Sequence, residues 1–176
     1  LQEHTKVQNI ELNPHLLDWF CSKQNKVASR EGVLVYSRMF LEDFGLTFRA
    51  SPDYLGTGPW YDWILVEYLD SNEQKLHYPF KIMGFVDKDD GTGPICFGQM
   101  CSTQNKKEKE ESTLGLFEQW HLETKPSSGL PAFWFVEVNT IIEHCLAFQI
   151  PESCIDVKYM GTDLTNKIIV VKNRHT

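Results

Sequence analysis

The stretch Gly58-Pro59-Trp60-Tyr61-Asp62-Trp63-Ile64-Leu65-Val66-Glu67-Tyr68 decides the fold class. Between Trp60 and Tyr68 every residue except Asp62 and Glu67 is aromatic or a large aliphatic, the composition a pleated strand favours. Side chains alternate along a strand, so Trp60, Asp62, Ile64, Val66 and Tyr68 share one face, and Tyr61, Trp63, Leu65 and Glu67 share the other. Each face therefore presents aromatic rings beside a carboxylate.

Working outward, Asp70-Ser71-Asn72-Glu73-Gln74-Lys75 is a polar connection of hairpin length, and a second strand-like run follows over 76–87. The two runs are expected to be antiparallel neighbours. Pro79 lacks a ladder donor, which places an edge or a bend near the start of the second run. Similar short runs occur at 33–40, 45–50, 94–101, 114–123, 132–138, 144–150, 154–160 and 167–172, separated by Gly, Pro, Asp and Asn. Strands at this spacing predict a small barrel or sandwich. Upstream, Asn13 is a capping residue and Pro14 suits a first helical position, with Leu16, Leu17 and Phe20 behind them. That pattern predicts a short helix over 14–24, within an N-terminal arm of residues 1–32 that precedes a β-barrel domain over 33–176. Residues 104–112 hold three Lys and three Glu with no apolar residue, and read as a mobile insertion between strands.

The chain has 176 residues, a formal charge of −7 and a pI near 5.3. Such a length suits one domain with a real core. No apolar run approaches the ~18 residues of a membrane span. Residues 61–105, with three basic and seven acidic side chains, form the acidic part. A nucleic-acid-tracking surface needs a basic stripe, which the linear sequence lacks unless the fold gathers Lys81, Lys125, Lys158, Lys167, Lys172 and Arg174. A basic peptide or protein tail is the easier partner. Five cysteines without a CxxC pair, and no Asn-x-Ser/Thr site, favour a reducing intracellular setting. The start at Leu1 and the strand-like end read as a piece excised from a larger protein.

Chemistry is sparse. Walker, dinucleotide and GxSxG signatures are missing, and no cofactor is expected. A zinc site would have to join Cys96 and Cys101 to His77, His121 or His144-Cys145, without the paired short spacings of structural zinc. The Asp87-Lys88-Asp89-Asp90 stretch lacks the carboxylate spacing of a calcium loop. His121 and Glu123 share a strand face as a base and its orienter would, but no nucleophile accompanies them. Asp156 and Lys158, two apart on a strand-like run, match half of a metal-dependent nuclease site and form the enzymatic alternative. The densest feature remains aromatic. Trp60, Tyr61, Trp63, Tyr68, Trp120 and Trp134, with Asp62 and Glu67, have the composition of a cage for a cationic methylammonium group, rings supplying cation–π attraction and acids supplying charge. The competing fate of each ring is barrel core.

The order Trp60 to Tyr68, polar hairpin, then Tyr78-Pro79-Phe80-Lys81-Ile82-Met83-Gly84-Phe85-Val86-Asp87 resembles the opening of SH3-like barrels of the bromo-adjacent homology (BAH) and Tudor kind. Phe133-Trp134-Phe135-Val136-Glu137-Val138 and Ile155-Asp156-Val157 resemble the closing strands of BAH modules. The same texture is similar to accessory regions of transposon-like open reading frames in eukaryotes. The resemblance spans residues 58–172 and implies a non-catalytic interaction module of nuclear or chromatin-associated proteins that holds a peptide by strand-edge contacts and sometimes an aromatic cage.

Overall fold

The computed structural model describes residues 7–12, 33–51, 53–88, 94–102, 117–149 and 167–171. They form eleven strands: β1 (Val7–Leu12), β2 (Val33–Leu41), β3 (Leu46–Ser51), β4 (Trp60–Tyr61), β5 (Trp63–Leu69), β6 (Lys75–Lys88), β7 (Ile95–Ser102), β8 (Phe117–Leu122), β9 (Trp134–Glu137), β10 (Ile141–Gln149) and β11 (Lys167–Val171). Among these residues the only helices are single 3-10 turns at Glu42–Phe44 and Val138–Thr140, so the protein is mostly β. The helix expected over 14–24, the insertion over 104–112 and the strand expected over 154–160 lie outside the described residues. Within the arm 1–32, Val7–Leu12 is a strand paired with β2, an element the sequence reading did not place.

Residues 60–69, read as one strand, divide at Asp62. Its N–H donates to the Arg49 carbonyl and its carbonyl accepts from the Ile82 N–H, so the chain passes from pairing with β3 to pairing with β6 at this residue. The expected β5–β6 hairpin forms, with Trp63 opposite Lys81 and Leu69 opposite Lys75. Pro79 sits where β6 has lost its β7 neighbour, the last β6–β7 partners being Phe80 and Met100.

Every pairing is antiparallel, and the pairings close on themselves. They run β5 to β6, β6 to β7, β7 to β8, β8 to β11, β11 to β10 and β10 back to β5. Among the described residues the seam is narrow: β7 meets β8 through Cys101–Leu122 and Ser102–His121, and the Glu123 N–H just past β8 donates to the Met100 carbonyl. β6 changes partner along one edge, from β5 over Lys75–Lys81 to β2 over Phe85–Lys88, and β2 carries β3 and β4 as a flap.

Two cores result. Trp63, Cys101, Trp120, Leu122, Cys145 and Ile168, from five strands of the circuit, bury together. The larger core gathers Met39, Leu41, Phe48, Ile64, Val66, Phe80, Ile82 and Phe85, with Val136 and Ile141. Alternation on β5 divides its residues between the two, Ile64 and Val66 to the larger and Trp63 and Leu65 to the smaller. Phe85 joins Phe80 and Ile82 despite its odd position because the β6–β7 register slips between Ile82 and Gly84. Phe48, Phe80, Phe85 and Phe97 are fully buried, each contributing about 1.5–3 kcal/mol of transfer free energy. Gly98 permits the close β6–β7 contact, since a Cβ there would overlap the Lys81 carbonyl oxygen and press on the Phe80 ring.

Candidate functional site

The β3–β4 rim holds the most exposed arrangement of polar and aromatic groups near the division at Asp62. Trp60 opens the two-residue strand β4 opposite Ser51, and its ring is 48% exposed. The Asp62 carboxylate fixes that ring, accepting Trp60 Nε1–H at 2.9 Å on Oδ1 and the Arg49 N–H at 2.6 Å on Oδ2. His144 Nε2, on β10, stands 3.9 Å from the same Oδ1. Burial works against the charged carboxyl, but His144 and the two donors together outweigh it and hold Asp62 below its ordinary pKa. The preceding loop folds on itself: Tyr54 N–H donates to the Gly58 carbonyl, and the Asp53 carboxylate accepts the Gly58 N–H. Gly56 and Gly58 take positive φ here, as so tight a loop requires. The loop sets Tyr54 5.5 Å from the Trp60 ring, with the Arg49 guanidinium 5.9 Å from the far ring's centroid.

The other expected cage residues are distributed elsewhere. Trp63 and Trp120, only 8% and 6% exposed, are core of the six-strand circuit. Tyr61 is half-buried and faces Lys81, whose Nζ lies 5.3 Å from the Tyr61 centroid and 5.8 Å from that of Trp63. The chain's own lysine thus takes the cation position over these two rings, and burial lowers its pKa. Tyr68 packs on Tyr78, which in turn meets Trp120 edge-on. Glu67, five residues and about 17 Å of strand from Asp62, pairs instead with Lys75 at 3.1 Å and His77 at 3.2 Å. Trp134 is 49% exposed, on β9, and donates its Nε1–H to Glu123 at 2.7 Å. The structure therefore brings Trp60 and Asp62 together at one rim, Tyr61 and Trp63 around Lys81, and leaves Glu67 and Trp134 apart from both.

Arg49, Tyr54 and His144 belong to the rim and escaped the sequence reading. Lys81 was reachable, because a hairpin closed by Leu69 and Lys75 counts back to Trp63 opposite Lys81. Glu123, weighed as the orienter of His121, is engaged by Trp134. Cys96, Cys101 and Cys145 are buried free thiols, and burial pushes the first two far above the ordinary thiol range. Among the described residues no three His, Cys, Asp or Glu side chains converge as a metal-holding group, and no helix is long and apolar enough to cross a membrane. Asp156 and Lys158 lie outside the described residues. In comparison with known proteins, no family model matches the chain, and no curated protein or solved structure matches it.

Proposed function

We propose that this chain is a non-catalytic interaction module, an SH3-like barrel of the BAH kind, that takes a basic peptide or protein tail at the β3–β4 rim. The observation that carries the reading is the Trp60 ring, half-exposed on an edge strand and clamped by the Asp62 carboxylate. A ring held rigidly loses little entropy on binding, and a cation over its face gains from both the ring and the nearby acid. β4 ends the strand order, so an extended segment has an edge along which to lie. The net charge of −7 favours a cationic partner. A nuclear setting, with the module serving a chromatin- or mobile-element-associated protein, belongs to the same proposal and rests on the resemblance of residues 58–172.

The test is a fluorescence-anisotropy titration of Lys-rich peptides, unmethylated and trimethylated, against the wild type, Trp60→Ala and Trp134→Ala. Trp60→Ala is expected to weaken binding about tenfold, the scale of an interface anchor, while leaving the thermal midpoint within a few degrees. Trp134→Ala, on a separate strand, is expected to bind as wild type. Equal binding by folded Trp60→Ala overturns the assignment of the rim.

A further inference from the structure

The rim carries a cationic half as well as an acidic one. β2 and β3 pair with Arg38 directly opposite Arg49. Directly opposed residues of an antiparallel pair share a face, so the two arginines stand on one side of the flap. Arg49 is also incompletely satisfied. Its Nε is buried without a hydrogen-bond partner, and no carboxylate of the described residues pairs with its guanidinium. The Asp62 carboxylate is close at hand but is spent on the Arg49 backbone N–H and on Trp60. What the guanidinium does contact is the Tyr54 ring, at 5.9 Å, a contact that leaves the Nε–H without an acceptor. A buried N–H left unmade is costly, so the arrangement favours an incoming acceptor.

We infer that Arg49, supported by Arg38, is an anion subsite adjoining Trp60, and that the peptide bound at the rim carries an acidic or phosphorylated side chain two residues from its cation. This deepens the proposed function and rests on it. The spacing follows from the rim. Tyr54 stands between the two subsites, 5.5 Å from Trp60 and 5.9 Å from the Arg49 guanidinium carbon. Side chains at i and i+2 of an extended segment share a face and are about 7 Å apart. A phosphate is the best-matched anion, because guanidinium forks bind its oxygens in pairs. In taking it, the Arg49 guanidinium turns off the Tyr54 ring and brings Nε to an oxygen.

The experiment uses one fluorescent peptide scaffold with a central trimethyl-lysine and Ala, Glu or phosphoserine at the second position beyond it. Each is titrated against the wild type, Arg49→Gln, Arg38→Gln and Trp60→Ala. For the wild type, phosphoserine is expected to tighten binding about tenfold over Ala, with Glu between them. Arg49→Gln should abolish that gain, so that the phosphoserine, Glu and Ala peptides bind it alike, whereas Trp60→Ala should weaken all the peptides and keep their order. Arg38→Gln, an exposed position, should reduce the gain by part and guards against an Arg49 variant that fails to fold. If the Ala and phosphoserine peptides bind the wild type equally, the anion subsite is wrong and the basic-peptide reading stands. If Arg49→Gln weakens every peptide equally, its role is structural and the inference fails. If no peptide binds, both fall.

Discussion

Asp62 joins more of the molecule than any other rim residue. Its backbone bonds tie β3 to β6, and its carboxylate gathers Trp60, the Arg49 N–H and the neighbourhood of His144. Burial opposes the ionised form and the donors prevail, so the folded pKa lies below the unfolded one. A depressed carboxyl contributes stability that is fully present above the unfolded pKa, about 3.9, and is lost as pH falls through the folded value. Asp62→Asn is therefore expected to be less stable than wild type at pH 7, and the gap should close as the medium is acidified below pH 4. Urea midpoints measured from pH 7 to pH 2.5 check this. A gap that stays constant across that range would show that shape, and not charge, is what the site requires of Asp62.

At the scale of elements, the β5–β6 hairpin was legible because its connection is uniformly polar and its flanks uniformly apolar. Asp70 organises the turn, accepting the N–H groups of Asn72 and Gln74, both at 2.8 Å, on one carboxylate oxygen. The turn forces Glu73 to φ +59°, a left-handed conformation that disfavours any residue with a Cβ. Glu73→Gly is expected to raise stability by about 0.5–1 kcal/mol, the relief at the turn exceeding the entropy that glycine adds to the unfolded chain. Chemical denaturation reads this directly, and a destabilised variant would mean that the Glu73 side chain contributes something the turn geometry does not reveal. The division at Asp62 and the slip between Ile82 and Gly84 were not legible. Both are set by which neighbour a strand meets along its length, and alternation within one strand carries no record of that. β1 was missed for a related reason: Val7-Gln8-Asn9-Ile10-Glu11-Leu12 is half polar and does not alternate throughout, and its pairing with β2 makes it a strand.

For the whole molecule, composition and spacing reached the β class and a barrel or sandwich, but not which strands pair to close the circuit. β8 pairs with β11 through Trp120 and Ile168, and β10 pairs with β5 through Cys145 and Trp63, joining residues far apart in the chain whose partnership leaves no local mark. The same limit divided the aromatic cluster. Alternation assigned Trp63 correctly to the face opposite Asp62, yet whether that face meets solvent or Trp120 depends on the circuit closing. Closure also predicts how stability is distributed. β6 is paired along both edges over Phe80–Lys81 and again over Phe85–Val86, and Ile82, Met83, Gly84, Phe85 and Val86 are buried, so its amides open only when the fold does. β4 is two residues at the end of the strand order, and among the described residues the β7–β8 seam is short. In hydrogen exchange followed by mass spectrometry, peptides covering 80–86 should exchange slowest, on the order of 100-fold more slowly than those covering 60–61, with 101–102 between them. The ordering matters because a peptide laid along β4 should slow exchange at 60–61 while leaving 80–86 unchanged. Protection of 80–86 no greater than that of 60–61 would mean that the circuit does not form the stable centre of the molecule.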